Sequence, residues 1–187
     1  MSEWGTAMRI DHAATFLAAI CALTPTSAYA ANQGSLGSTS TGSVIITASV
    51  PTRVQITGLS DVNLTNSDPS IAASYAQDVC VWSNTSTRGY NITATGSGTG
   101  NAFTLANAAL NVPYSVEWNA TAGSSSGTAL TTGTAKTGLT STATTSTCSA
   151  GPAKSASLIV KMAANDLQSM ASGVSYTGTL TLVVAPE

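Results

Sequence analysis

The sequence predicts an all-β fold, a sandwich or a barrel, on three observations. Apolar residues alternate with polar ones at period two in several short runs. These runs are rich in Val, Ile, Thr and Tyr, which favour strands. Clusters of Gly, Ser, Asn and Pro separate the runs and favour turns, at 66–69, 96–100 and 123–127. Short strands with this punctuation are typical of packed sheets.

The alternating runs follow one another along the chain. The first ends at Pro51, and a shorter run around Val54 and Ile56 continues after it. Residues 128–149 alternate weakly, so either a strand around Ala129 or a long surface loop fits them. The one helical candidate, 163–170, has room for one or two turns. The apolar positions of the runs are Val44, Ile46, Ala48 and Val50; Val79 and Val81; Tyr90, Ile92 and Ala94; Val112, Tyr114, Val116 and Trp118; Leu158, Val160 and Met162; and Tyr176, Leu180, Leu182 and Val184, with Gly178 on the last face.

The first thirty residues are interpreted as a signal peptide. Their apolar run, 16–23, follows Arg9 and is too short to span a bilayer, and Ala28 and Ala30 are the small residues that a cleavage site requires. We therefore expect export and cleavage after Ala30. Residues 31–42 are rich in Gly, Ser and Thr, which predicts a flexible tail. The remainder has the length of a single domain.

Charge is sparse throughout the chain. Charged residues make up 7% of the sequence, against a typical fraction of about 25%. The basic residues are scattered, so they do not form the basic face that nucleic-acid binding requires. A surface of Thr, Ser, Asn and Gly suits an exposed and chemically inert polymer better than a cytosolic protein.

Two cysteines, Cys80 and Cys148, remain after the predicted cleavage. An even number of cysteines in an exported chain predicts a disulfide, with a pair of unbonded buried thiols as the alternative.

The sequence lacks the residues of common catalytic and metal sites. The only histidine, His12, would be removed with the signal peptide, so no histidine triad or histidine metal site is expected. The acidic residues are scattered, although folding could bring Asp78 near Glu117. We therefore expect no enzyme activity, no catalytic residue, no metal and no cofactor.

Two tryptophans leave an alternative function open. Trp118 shares its face with the other apolar residues of its run, which predicts a core position. Trp82 is out of phase with Val79 and Val81 and is a candidate for an exposed contact or a subunit interface. A secreted carbohydrate-binding β-sandwich with an aromatic platform is therefore the alternative function.

Several segments together resemble the chaperone–usher pilins, especially the alpha-type colonisation-factor major pilins. The segment 42–51, Gly-Ser-Val-Ile-Ile-Thr-Ala-Ser-Val-Pro, resembles their N-terminal donor segment, and Thr52–Ile56 resembles the strand that follows it. Residues 90–94 and 111–118 resemble their middle strands, and 176–184 resembles their closing strand. The resemblance covers most of 42–184 in order.

This resemblance implies an incomplete immunoglobulin-like β-sandwich over 52–187, completed by a donor strand, 43–51, from a neighbouring subunit. Such a protein is a structural subunit of a surface pilus, exported through the periplasm, and supports adhesion or biofilm formation. Its implied partners are related pilin subunits, a periplasmic chaperone and an outer-membrane usher. The implied donor contacts are Val44, Ile46, Ala48 and Val50, and the implied groove and chaperone edge is Tyr176, Gly178, Leu180, Leu182 and Val184.

Overall fold

The computed structural model describes residues 30–65 and 67–187. The predicted signal peptide lies outside the described residues except for Ala30. The chain divides after Ser49 into two units, which are described separately.

The described part of the first unit, residues 30–49, contains one antiparallel bridge and no strand or helix. The amide N of Asn32 donates to the Ser43 carbonyl at 2.8 Å, and that of Ser43 donates to the Asn32 carbonyl at 2.9 Å. This bridge closes the segment between them into a loop. The flexibility expected for 31–42 stays a prediction.

The second unit, Val50–Glu187, is built almost entirely from β-strands, which confirms the all-β fold class. The α-helix of its described residues, α1 (Ala164–Gln168), has five residues and falls within the predicted helical candidate. The strands are β1 (Val54–Thr57), β2 (Ala73–Ser83), β3 (Gly89–Gly96), β4 (Thr104–Asn107), β5 (Leu110–Pro113), β6 (Ser115–Asn119), β7 (Thr128–Ala129), β8 (Ala135–Thr140), β9 (Ala156–Met162) and β10 (Leu180–Pro186).

The strands form two main antiparallel sheets and a hairpin. The first sheet has the strand order β1-β2-β9-β6-β7, the second has the order β10-β3-β8, and β4 and β5 form a two-stranded sheet. The β3–β8 register shifts between Tyr90 and Ile92, which marks a β-bulge.

The core lies between the inner faces of the two main sheets. The second sheet contributes Tyr90, Ile92 and Ala94, each 0% exposed. The first sheet contributes Val79 and Val81 from β2, Val116 and Trp118 from β6, and Leu158 and Val160 from β9. Because both sheets supply alternate residues to one cluster, the fold is a sandwich.

The predicted core position of Trp118 is confirmed. Its side chain is 2% exposed, and its indole Nε1 donates a hydrogen bond to the Tyr90 hydroxyl at 3.1 Å. That bond joins the two sheets and satisfies the indole N–H inside the core.

The predicted disulfide is also present. The sulfur atoms of Cys80 and Cys148 lie 2.05 Å apart. Cys80 projects from the outer face of β2, since its neighbours Val79 and Val81 fill the core. The disulfide therefore fastens the loop after β8 to the outside of the first sheet, where Trp82 packs against it.

Three parts of the second unit differ from the predicted runs. Tyr176 and Gly178 of the last run lie before β10, which begins at Leu180, because Thr177 bridges to Ala106 of β4 instead of extending β10. The run around Val112–Trp118 is broken after Pro113, because β5 pairs with β4 whereas β6 joins the first sheet. The weakly alternating stretch contains two strands, β7 and β8. Both predicted alternatives therefore fit in part, since β7 includes Ala129 and a surface loop follows β8.

Candidate functional site

A long apolar groove is the main surface feature of the second unit. It encloses about 1260 Å³. Its lining includes Leu158, Val160 and Met162 of β9 and Leu167 of α1. Two segments without regular strand structure, 59–65 and 170–179, form its walls. The groove therefore gives access to side chains that belong to the core of the sandwich.

The first wall leaves the sheet just after β1. Ser60 has no strand neighbour, and the side chain of Gln77 on β2 takes that place. The Gln77 Nε2 donates to the Ser60 carbonyl at 2.9 Å, and its Oε1 accepts from the Ser60 amide N at 2.8 Å. Because the Gln77 side chain, and not the backbone of β2, makes these bonds, the wall is held beside β2 without adding a strand to the first sheet.

The second wall is held by the β4–β5 hairpin and by Ser97, which follows β3. Thr177 and Ala106 form an isolated antiparallel bridge, and the amide N of Thr179 donates to Ser97 Oγ at 2.9 Å. A Cβ on Gly178 would lie 2.7 Å from the Thr104 carbonyl oxygen. Glycine is therefore needed where the wall approaches β4.

Strand β10 borders the groove with an open edge. It pairs with β3 on one side, and it has no strand on its other side among the described residues. The amide N of Glu187 donates to the Gly89 carbonyl, so alternation along an antiparallel ladder turns the peptide groups of Leu180, Leu182 and Val184 away from β3. These three residues offer backbone donors and acceptors for one more strand.

Strand β1 borders the same region from the first sheet. Within the part of the chain that the structure describes, it pairs only with β2, and it approaches β10 without forming a ladder with it. The groove therefore lies where the two sheets are not joined by a strand. An exposed strand edge of this kind is a site of β-strand addition unless it is covered.

The predicted groove residues fall into two groups. Tyr176, Gly178, Leu180 and Leu182 line the groove. Val184 does not line it but packs against the main core cluster. Residues that were not predicted also line it, including Leu64, Leu105, Tyr114, Leu167 and Met170. They come from loops, a helix and a hairpin, so no single alternating run identifies them.

The predicted donor residues are exposed. Val44 is 71% exposed, Ile46 is 88% exposed and Val50 is 82% exposed, and Ala48 is also exposed. None of these residues belongs to a strand in the structure. Four apolar positions at period two thus present their side chains to solvent, where they gain nothing from burial.

The carboxylates of Asp78 and Glu117 both hold the surface loop 120–127. Asp78 Oδ1 accepts from Ser157 Oγ at 2.6 Å and from the Gly123 amide N at 2.7 Å. Glu117 pairs with Lys161 Nζ at 2.7 Å and accepts from the Gly127 amide N at 2.9 Å. The Ser157 hydrogen bond lowers the pKa of Asp78, and the Lys161 hydrogen bond lowers the pKa of Glu117. Both are ionised anchors of the loop 120–127.

Residues 30–65 and 67–187 contain no group of three His, Cys, Asp or Glu side chains placed to hold a metal ion. The same residues contain no helix of the length and apolar character needed to cross a membrane. No protein-family model matches the chain, and no curated protein sequence is significantly similar to it.

Proposed function

We propose that this protein is a structural subunit of a surface fibre, assembled when the arm of one copy, residues 43–51, adds a strand to the groove of the next. The carrying observation is an apolar groove of about 1260 Å³ that borders the open edge of β10. On this proposal the sandwich is an incomplete immunoglobulin-like domain, and the arm supplies its missing strand.

The arm and the groove both offer apolar side chains that could be buried against each other. The arm carries Val44, Ile46, Ala48 and Val50 at period two, and the groove lining includes Leu, Val, Met and Tyr side chains beside Ser, Thr, Asn and Gln. Each Val or Ile transferred from water into such a groove stabilises the contact by roughly 1.5 to 3 kcal/mol before ordering costs. The backbone of the arm would pair with Leu180, Leu182 and Val184.

Head-to-tail addition produces a fibre because each added copy presents a new groove or a new arm. A groove of this size is an aggregation hazard until it is filled. We therefore include in the proposal a periplasmic chaperone that covers the β10 edge first, an outer-membrane usher, and export to the cell surface. A structural role of this kind requires no catalytic residue and no cofactor.

The test is a pair of substitutions at adjacent arm positions. Ile46→Asp places a charge on the face that would enter the groove, whereas Ile45→Asp places it on the opposite face. Both side chains are exposed, at 88% and 66%. We expect the first variant to abolish heat-resistant oligomer ladders in a mild detergent gel, and the second to retain them, since the side-chain period of a strand is two.

Equal loss of oligomers in both variants would indicate that the arm does not act as a strand in this register. Unchanged ladders in Ile46→Asp would rule out the arm as the assembly element.

A further inference from the structure

A second, smaller depression lies on the outer face of the first sheet and is lined only by residues outside the groove. It has a volume of about 440 Å³ and is lined by Arg53, Val54, Gln55, Trp82 and Ser146. The sandwich core does not require this arrangement, because the core residues of β1 and β2 project from the other face.

The strand register and the disulfide bring the lining residues together. Gln55 pairs with Trp82 across the β1–β2 ladder, so their side chains lie next to each other on one face. The disulfide from Cys80 to Cys148 holds the loop that contains Ser146 against the same face. The Trp82 side chain packs against the disulfide cluster and remains partly exposed.

The polar groups around Trp82 are not used by the protein itself. Other surface side chains, such as those of Gln77, Asn84 and Asp78, form hydrogen bonds within the domain. Within residues 30–65 and 67–187, the Arg53 guanidinium, the Gln55 amide and the Ser146 hydroxyl make no such bond. The one ion pair among those residues joins Lys161 and Glu117, which leaves the charge of Arg53 without a carboxylate partner there.

We infer that this depression binds an acidic sugar residue, with the ring against Trp82 and the carboxylate on Arg53. A pyranose ring has an apolar face that packs on an indole, and its hydroxyls can bond to the Gln55 amide and the Ser146 hydroxyl. A guanidinium binds a carboxylate through two parallel hydrogen bonds, which selects acidic sugars over neutral ones.

A shallow, open site of this kind binds a single sugar weakly. If the protein also forms the proposed fibre, the site would recur in every copy, and multivalent binding to a polysaccharide would raise the overall affinity. One copy of the domain contains all the residues of the sugar site, so sugar binding does not require the fibre.

The test uses methyl β-glucuronide as the probe, with methyl β-glucoside as the neutral match, and saturation-transfer NMR on the purified protein. We expect the acidic sugar to bind at least about tenfold more tightly, because one charge-assisted contact contributes about that factor. Arg53→Gln should remove the preference for the acid, and Gln55→Ala should weaken both sugars. Lys136→Gln, which removes one charge from β8, should change neither affinity.

Three results would overturn the assignment: no saturation transfer to either sugar, an unchanged preference in Arg53→Gln, or equal binding of hippurate, an aromatic carboxylate without a sugar ring. Oligomer ladders recorded on the same preparations keep this outcome separate from that of the fibre proposal, because Arg53 and Gln55 lie outside the arm.

Discussion

The arm and strand β3 carry the same pattern and have opposite environments. Both alternate apolar and polar residues, with Val44, Ile46 and Ala48 in the arm and Tyr90, Ile92 and Ala94 in β3. In β3 the three apolar residues are fully buried, whereas Val44 and Ile46 are 71% and 88% exposed. Period two therefore predicts a segment able to form a strand, and it does not identify which surface covers that strand.

The largest expected effect is a contrast in stability between these two segments. Ile92→Asp would place a carboxylate in the core without a partner, which should lower the free energy of unfolding by at least about 4 kcal/mol and prevent folding in a marginal domain. Ile46→Asp should leave the unfolding of a monomeric subunit unchanged. Chemical denaturation followed by tryptophan fluorescence measures both.

A large loss of monomer stability in Ile46→Asp would contradict the difference proposed between the arm and β3, because the arm would then be part of the subunit's own core. The expected combination is a stable Ile46→Asp monomer that fails to assemble.

The sequence predicts the buried strands well and the groove poorly. β3 and β9 combine apolar alternation with β-prone residues, so both are recognisable from local pattern. β8 is not, because Leu139 is the only large apolar residue in its six positions, and tertiary pairing with β3 determines its state. The groove walls are harder still: Ser60 is held by the Gln77 side chain, a contact 17 residues away in sequence, and such a contact leaves no periodicity.

The boundary between the arm and the sandwich gives the second prediction. Asn84, just after β2, donates from Nδ2 to the Pro51 carbonyl at 2.9 Å and accepts at Oδ1 from the Arg53 amide N at 2.6 Å. These bonds fix the chain directly after Val50. Asn84→Ala should cost about 1 kcal/mol and should increase amide hydrogen exchange at residues 52–55.

Asn119→Ala is the matched control, because Asn119 also makes two backbone bonds, to Ser126 and Thr121. It should cost a similar amount of stability without changing exchange at 52–55. If both variants raised exchange there equally, Asn84 would have no specific role in fixing the start of β1.

The smallest expected effect concerns acid, which acts on polar contacts and leaves apolar ones unchanged. The carboxylates of Asp78 and Glu117 have ordinary pKa values of 3.8 and 4.5, and hydrogen bonds lower both in the folded protein. Groups of this kind stabilise the fold above their unfolded pKa values, and the contribution is lost as pH falls through the lowered folded values. Stability should therefore fall modestly from about pH 5 downwards, with faster exchange in the loop 120–127, while the amides of β3 stay protected.

In Asp78→Asn combined with Glu117→Gln, the loop should exchange rapidly at neutral pH already, and the acid dependence of the loop should be smaller than in the native protein. An undiminished acid dependence in that double variant would assign the titration to other carboxylates, and loss of β3 protection at the same pH would show that acid acts on the core as a whole.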